Sequence, residues 1–482
     1  MYNKTKERWG IKMFNYECVI NGKSINSKNK IQITSPVDLK VCGEVPELGV
    51  KEISMAFKSA RDSQKNWEDL TLFDRIKYMN KWKELIIKNR EHIANIMIKE
   101  IAKPLKDSLT EVDRTIEYID YTIEEAKRMY PEIYTGDGMN VKNKYGIFDR
   151  IAKGVILAIS PFNYPINLSM AKIAPSLIAG NTVVFKPATS GSIVGTFMSQ
   201  LSLEAGLPAG VFNCVTGRGS VIGDELIKNP EINLISFTGS VPVGNRIKEL
   251  AKGKDLILEL GGKDPAIIID GDLEKISSEI IGGAFSYSGQ RCTGIKRVLV
   301  LEKDYDKIIK LLKDKVNKLS VGSPVDGSVI IPVIDIKTAE YLDELVSDAK
   351  AKGATIETGK ARKGNLFYPT LISNVSLDMK IAWEEPFGPI LPIIKCKSVE
   401  EMIEITNKSN FGLQASLFSN NISQAIKVAK QLNVGTVNLN GKPQRGPDNF
   451  PFLGVKDSGL GVQGIGETLK SVTRLKGIVI NY

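Results

Sequence analysis

Apolar residues recur at three- and four-residue spacing over residues 71–103, with Leu72, Ile76, Met79, Leu85, Ile93, Ile96 and Met97 on one stripe. That period predicts one long amphipathic helix, stopped where Pro104 removes a backbone donor and clashes with the preceding turn. Leu109, Val112, Ile116, Ile119 and Ile123 repeat the pattern, which predicts a second helix over 105–129. Residues 134–148 are rich in Gly and Asn and partly alternate, so they read as loop and hairpin. The texture then changes. Short apolar runs at 155–160, 182–186, 211–215, 234–237 and 257–259 are separated by helix-length segments. A second alternation starts at 266–269, continues through 297–301 and a helix to Leu319, and runs on to Asn440. Strands alternating with helices predict parallel sheets with right-handed crossovers and helices on both faces. The fold class is therefore α/β, in two domains with a small bridging element. Residues 441–466 are rich in Gly and Pro and read as loop, and 477–482 reads as a short strand able to pair with another subunit.

Length and composition agree. A chain of 482 residues has room for two or three domains and a substantial core. With 42% hydrophobic and 25% charged residues it is ordinary globular protein. It contains one histidine, His92, far from every motif below and read as a surface or packing residue. That count excludes an HExxH helix and a His-rich metal centre, and any Ser-His-Asp triad that lacks His92. Acid–base chemistry then falls to Glu, Asp, Lys, Cys or Tyr, and no metal site is expected. The five cysteines, Cys18, Cys42, Cys214, Cys292 and Cys396, are odd in number, widely spaced and without a CxxC pair. This is neither a disulfide framework nor a zinc site, and it points to free thiols in a reducing cytoplasm. No apolar run is long enough to span a bilayer. Residues 1–12 are basic with no apolar region after them, which reads as a loose arm, with Met13 an alternative start to Met1. The formal charge of +10 suits acidic small molecules, nucleic acid or a membrane surface. Only 14 of the 65 basic residues are arginine, so an arginine weights a position toward planar, forked recognition.

Several short segments carry chemistry. Cys292 has small or polar neighbours, Gly289, Gln290, Arg291 and Thr293, and Arg291 is placed to favour a thiolate. A thiolate suits covalent attack on a carbonyl, while a buried free cysteine is as common an outcome. Glu259 ends an apolar strand before two glycines, at the strand end where sites sit in such sheets, or simply at a solvated turn. Two glycine clusters, 217–223 and 237–244, each follow a strand and open a helix, where backbone N–H groups can meet phosphate. Neither matches GxGxxG or a P-loop. Asn163, in a Pro-bracketed loop after a strand, can donate to a developing oxyanion or merely hold a turn. Lys186 ends a strand within reach of a ribose or phosphate, or of solvent.

Together these fragments are more specific than any one of them. FNYP (162–165), FKPAT (185–189), FTGS (237–240), ELGGK (259–263), GQRC (289–292) and EEPFGP (384–389) stand in the order and approximate spacing of the aldehyde dehydrogenase superfamily, which the chain resembles beyond its N-terminal arm. GQRCT (289–293) and QRGPDNFPFLG (444–454) resemble the non-phosphorylating glyceraldehyde-3-phosphate dehydrogenases within it. The resemblance implies a Rossmann-like cofactor domain over 13–130 and 153–260. It implies an α/β catalytic domain over 261–460, and a β arm for oligomerisation over 131–152 and 461–482. By the same resemblance Cys292 is the nucleophile, Asn163 the oxyanion donor and Glu259 the base for thioester hydrolysis. Lys186, Thr189, Gly219, Thr238, Gly239, Ser240, Gly244, Gly261 and Glu385 would bind the cofactor. Relatives that prefer NAD often carry Glu where Thr189 stands. A neutral Thr189 does not repel a 2′-phosphate, which favours NADP, with NAD as the weaker alternative. Arg114, Tyr164, Arg291 and Arg445 would surround the phosphate of a small aldehyde. Arg445→Ala is accordingly expected to raise KM for the phosphorylated substrate and to spare glyceraldehyde.

The implied reaction is irreversible oxidation of D-glyceraldehyde 3-phosphate to 3-phosphoglycerate, by a homotetramer of paired dimers. Alternatives are another small aldehyde (lactaldehyde or an anionic semialdehyde) and release of the thioester to CoA, against which Glu259 argues. A basic nucleic-acid-binding protein is also considered, but no basic stripe with interleaved aromatics supports it. Neither nucleic acid nor membrane is expected as a partner.

Overall fold

The structure, a computed structural model, describes residues 13–482. The expected loose arm, residues 1–12, lies outside the described residues, and with it the choice between Met1 and Met13. Short strands open the chain: β1 (Phe14–Asn15), β2 (Cys18–Ile20), β3 (Lys23–Ile25), β4 (Lys30–Thr34) and β5 (Val41–Pro46). Four helices follow, α1 (Val50–Glu68), α2 (Leu72–Lys88), α3 (Arg90–Ile101) and α4 (Leu105–Ala126). The single helix expected over 71–103 is thus two. At Asn89 the backbone leaves helical geometry (φ −99°, ψ 14°), and its side-chain amide donates to the Leu85 carbonyl at 2.8 Å. A short polar side chain competing for main-chain bonds interrupts the ladder without disturbing the apolar stripe, so periodicity does not register it. Ile76, Met79, Trp82 and Ile86 stay buried on one half, and Ile93, Ile96 and Met97 on the other. His92 is a packing residue, with a ring nitrogen 2.7 Å from the Tyr16 hydroxyl and its edge against Phe14 and Phe197.

The expected hairpin is β6 (Glu132–Thr135) and β7 (Lys144–Ala152). Strands β8 (Val155–Ile159), β9 (Thr182–Lys186), β10 (Phe212–Cys214), β11 (Ile232–Thr238) and β12 (Asp255–Glu259) then alternate with helices α5 (Asn167–Ile178), α6 (Ser192–Glu204), α7 (Gly219–Lys228) and α8 (Val241–Leu250). All five strands pair in parallel, in the order β10-β9-β8-β11-β12. Alternate residues enter two cores, as the two-residue period of a strand requires. Ile156, Ala158, Val183 and Phe185 pack toward α2, α5 and α6, while Val155, Leu157, Val184 and Ile235 pack toward α1, α7 and α8.

The second alternation begins with β13 (Pro265–Ile268), α9 (Leu273–Phe285), β14 (Arg297–Leu301) and α10 (Glu302–Val316). Strands β15 (Thr355–Ile356), β16 (Thr370–Ser373), β17 (Ile390–Cys396), β18 (Phe411–Gly412), β19 (Gln414–Phe418) and β20 (Thr436–Leu439) come next. Seven of these strands form one sheet, ordered β15-β16-β17-β14-β13-β19-β20. The segment expected to be loop contains two short strands, β21 (Val455–Lys456) and β22 (Gly459–Leu460). β22 adds antiparallel to β12 as a sixth strand of the first sheet, and β21 pairs with β18. Pairings two residues long depend on what lies opposite them, which local composition does not reveal. The terminal strand is longer than expected: β23 (Thr473–Asn481) pairs antiparallel with all nine residues of β7 in this same chain. Among the described residues no helix is long and apolar enough to cross a membrane.

Candidate active site

The strand order reverses between β8 and β11: β9 and β10 continue on one side and β12 on the other. Crossovers that diverge in this way leave a crevice above the carboxyl ends of the two central strands. A cavity of about 490 Å³ lies there. Asn163 reaches it from the loop after β8, Lys186 and Thr189 from the end of β9, and Gly219 from the start of α7. Thr238, Gly239 and Ser240 contribute from the end of β11, and Gly261 from beyond β12. Cys292 and Glu385 close the far wall from the second half of the chain.

One expected residue stands elsewhere. Gly244 is not in the lining: a Cβ there would lie 2.5 Å from the Leu260 side chain, so its lack of a side chain serves the packing of α8 against the end of β12. Gly219 and Gly223 do face open space, with no atom within 4 Å of a would-be Cβ. At Gly261 a Cβ would fall 2.1 Å from Glu385 Oε2, so only glycine lets that carboxylate close over the loop. Glu385 Oε1 accepts from the Gly262 N–H at 3.2 Å and pairs with Lys296 Nζ at 3.0 Å. Burial brings the Lys186 ammonium down to about 8, its amine being held by the Pro187 carbonyl at 3.1 Å.

Cys292 follows a strained turn. Tyr287 and Ser288 both carry left-handed backbone angles (φ 52° each), which side chains with a Cβ adopt only when their surroundings compel them. Here they do. Tyr287 donates its hydroxyl to the Ile101 carbonyl at 3.2 Å, and Ser288 Oγ bridges the Ile331 carbonyl and N–H at 2.8 Å each. Gln290, fully buried, accepts from the Ile334 N–H at 2.9 Å, and its own carbonyl accepts from Asn163 Nδ2 at 2.9 Å. One Asn163 hydrogen is thereby spent on orienting the amide beside the nucleophile loop, and the other stays available.

The thiol is not poised as a thiolate. Burial pushes Cys292 up to about 11, with Lys296 pulling down and Glu259 and Glu385 pushing up. Arg291, expected to favour the thiolate, instead donates to Ser286 Oγ at 2.6 Å and Thr293 Oγ1 at 3.4 Å. The nearby cation is Lys296, which holds the Cys292 carbonyl at 2.6 Å. Iodoacetamide labelling of Cys292 in cofactor-free protein is therefore expected to climb about tenfold per pH unit between about pH 8 and about pH 10. A plateau near the ordinary thiol value, read by mass spectrometry of the Cys292 peptide, contradicts this.

Glu259 ends β12 directly across from Thr238 in the parallel register. Its Oε2 accepts from Thr238 Oγ1 at 2.7 Å, and Thr238 Oγ1 in turn accepts from Lys172 Nζ at 2.6 Å. Its Oε1 pairs with Arg445 Nη1 at 2.5 Å. Burial raises the Glu259 carboxyl, but Arg445, Lys172 and the Thr238 bond outweigh it and hold the group below its usual value. Lys172 is itself brought down to about 8 by burial, partly offset by Glu259.

Behind the Cys292 loop a second, smaller cavity of about 150 Å³ is lined by Arg114, Tyr164, Ser286 and Arg291, with the carboxylates Asp107 and Glu111 also on its wall, the latter already paired with Lys103. Three of the four expected anion-binding residues thus meet. Arg445 is not in that lining and turns instead to Glu259 and to Gln463 Oε1, the latter at 2.8 Å. Only its backbone touches the group, its carbonyl accepting from Arg114 Nη2 at 3.2 Å. Arg114 also pairs with Asp448 at 2.9 Å.

Sequence reasoning missed the supports. Lys103 and Glu111, each 1% exposed, form an ion pair at 2.5 Å. Lys103 Nζ donates to the Asn163 carbonyl at 2.8 Å, and Glu111 Oε1 accepts the N–H groups of Ile166 and Asn167 at 3.0 Å each. The pair clamps the Asn163 loop to the helices. Lys103→Met leaves Glu111 charged and buried without its partner, so unfolding in urea is expected to show a loss of about 3–5 kcal/mol. An unchanged midpoint contradicts the clamp. Glu111, between Leu109 and Val112 of the apolar pattern and on the buried face of α4, is the one signal of this in the sequence; Lys103 stands in the link between α3 and α4.

An asparagine and a cysteine line one cleft above the carboxyl ends of a parallel sheet, with a buried strand-end carboxylate beside it, and the chain also matches a family by sequence. The model of the aldehyde dehydrogenase family covers residues 24–478. The chain belongs to the aldehyde dehydrogenase family. Among its relatives, the NADP-dependent glyceraldehyde-3-phosphate dehydrogenase of Streptococcus equinus is 48% identical over 97% of this chain and 98% of that one. The enzyme of the same name from Pisum sativum is 45% identical over 95% of this chain and 93% of its own. Among solved structures, NADP-dependent glyceraldehyde-3-phosphate dehydrogenase from Bacillus halodurans C-125, complexed with NADP, superposes with a TM-score of 0.96. It is 47% identical and covers 97% of this chain and 100% of that chain. This aldehyde dehydrogenase therefore shares its fold over 97% of its length with an enzyme solved in complex with NADP.

Proposed function

We propose that this aldehyde dehydrogenase is an NADP-dependent, non-phosphorylating glyceraldehyde-3-phosphate dehydrogenase that produces 3-phosphoglycerate. The observation that carries the reading is that Cys292 lines one cavity while the residue before it, Arg291, lines another. The first is a long cleft with open glycines and a buried lysine, and the second is a small pocket. The identity with relatives of this name supports the reading.

The cleft fits the cofactor. The open Cβ positions of Gly219 and Gly223 leave backbone accessible to phosphate, and Leu226, Ile227 and Ile247 offer an apolar slot. Lys186, Thr189, Thr238, Gly239, Ser240, Gly261 and Glu385 complete its walls. Thr189 places no carboxylate near Lys186, which favours a 2′-phosphate and hence NADP over NAD. When bound, the nicotinamide supplies the two-electron oxidant. The Cys292 thiol gives its proton to water in the cleft, its sulfur bonds to the aldehyde carbon, and the C=O π bond opens to an alkoxide. Asn163 and the Cys292 backbone N–H donate to the oxygen as it becomes anionic. After oxidation the thioester is attacked by water. Glu259 takes the water proton, the C–S bond breaks and the Cys292 thiolate leaves. No step requires an imidazole or inorganic phosphate.

The domain layout proposed is 13–130 with 153–260 for the cofactor, 261–460 for catalysis, and 131–152 with 461–482 for assembly. The outer edge of β23 exposes Leu475, Ile478, Val479 and Ile480, which supports a homotetramer built by extending that sheet. Five free thiols support a cytoplasmic location. The deciding experiment follows NADP reduction with D-glyceraldehyde 3-phosphate against lactaldehyde and a semialdehyde, with and without inorganic phosphate. Highest kcat/KM for the phosphorylated triose, independent of added phosphate and higher with NADP than with NAD, is expected. Phosphate-dependent turnover overturns the hydrolytic mechanism, and a clear preference for NAD overturns the cofactor assignment.

A further inference from the structure

Each of the three arginines expected to bind the anion already has a partner. Arg114 holds Asp448 at 2.9 Å, Arg291 holds the hydroxyls of Ser286 and Thr293, and Arg445 holds Glu259 at 2.5 Å. An arriving dianion must exchange with these partners, and two of the three are carboxylates. A phosphate offers more charge and more acceptor atoms to a guanidinium fork than one carboxylate oxygen does, so the exchange favours it. Asp448 has no role in the proposed chemistry, and its displacement changes nothing at the reacting carbon. Glu259 is the base. With Arg445 on Oε1 and the Lys172–Thr238 chain on Oε2, both of its oxygens are committed. A carboxylate compensated in this way accepts a proton poorly. The Arg445 carbonyl accepts from Arg114 Nη2 at 3.2 Å, so the backbone that carries the base's partner stands beside an arginine of the pocket wall.

We propose that Arg445 is a substrate-operated lock on the base. In the empty site it neutralises Glu259. When the dianionic head of the substrate settles among Arg114, Tyr164 and Arg291, Arg445 transfers to that head and releases Glu259 Oε1 to a water molecule. The phosphate then contributes to catalysis as well as to binding, because its energy appears in the hydrolysis step. An unphosphorylated aldehyde acylates Cys292 but leaves the base locked. Arg445 is a positioning residue in this scheme, acting on the thioester only through Glu259. The inference rests on the proposed function and sharpens how that site distinguishes its substrate.

The test supplies the substrate in two pieces. D-glyceraldehyde acylates the enzyme with NADP, and decay of the acyl-enzyme is followed by rapid quench and intact mass spectrometry with and without inorganic phosphite dianion. In the native enzyme, saturating phosphite is expected to speed decay by about tenfold or more, while competing with glyceraldehyde 3-phosphate. In Arg445→Gln that acceleration is expected to vanish, and Arg445→Lys is expected to restore part of it. Phosphite that competes with the phosphorylated substrate but leaves decay unchanged in the native enzyme overturns the lock and leaves the proposed function standing. Undiminished acceleration in Arg445→Gln also overturns it. If phosphite neither competes nor accelerates, and the phosphorylated triose is oxidised no better than glyceraldehyde, the functional reading falls and the lock with it. The native enzyme alone decides the matter if the variants do not fold.

Discussion

Cys292→Ala is expected to abolish aldehyde oxidation, lowering kcat by at least about 10⁴-fold while leaving NADP binding intact. The Cys292 sulfur is the one thiol in the cavity lining. The four other cysteines, Cys18, Cys42, Cys214 and Cys396, are buried outside that lining. Removing it leaves Asn163 still oriented by the Gln290 carbonyl, but with no tetrahedral adduct to stabilise. The loop itself is held by Tyr287, Ser288 and Gln290, none of whose bonds pass through the thiol, so the fold is expected to persist. Stopped-flow NADPH formation measures the loss, and nucleotide fluorescence titration measures retained binding. Residual turnover within about tenfold of native removes Cys292 from covalent catalysis.

Glu259→Gln is expected to separate the two halves of the reaction. Acylation and NADPH formation proceed once per site, and steady turnover then falls by about 10²–10⁴-fold because nothing accepts the water proton. The signature is a burst of NADPH equal to the enzyme concentration, with a thioester adduct on Cys292 visible by mass. The amide keeps the Thr238 contact but loses the charge that Arg445 balances, so the guanidinium is left with Gln463. A proportional loss of burst and steady state contradicts the assignment of Glu259 to hydrolysis.

These results also revise one expectation. Arg445→Ala looked, from the sequence, like a change confined to phosphate recognition. With Arg445 on Glu259 at 2.5 Å, losing the guanidinium alters the base for every substrate, so glyceraldehyde turnover is expected to change as well, toward faster thioester hydrolysis. Nothing local in QRGPDNFPFLG states which of several anions its arginine faces. That depends on β12 and the 444–454 segment meeting across the sheet, as β22 does when it adds to β12.

Much was legible in the chain. Apolar runs at 155–160 and 182–186 became β8 and β9 because a strand buried on both faces must be apolar throughout. Strand ends followed by glycines became the cavity lining because backbone must come close to a ligand there. Cys292, Asn163, Lys186 and Glu385 were named from motifs and stand around one cavity. Gly244 was named from the same logic and serves packing on Leu260 instead, since a glycine in a turn reads alike whether ligand or side chain fills the space beside it.

The sequence by itself determined the alternation of strands and helices, and therefore the parallel sheet and its crevice. It also supplied a chemistry that needs no imidazole, since periodicity and residue type are properties of the chain. Only the tertiary structure decided which charges meet. Lys103 with the Asn163 carbonyl, Lys172 with Thr238, and Arg445 with Glu259 are pairs far apart in sequence. The physical reason is that ionisation and hydrogen bonding depend on distances of a few ångströms between segments, and on the solvent excluded between them. Those distances are set by packing, not by any local run of residues.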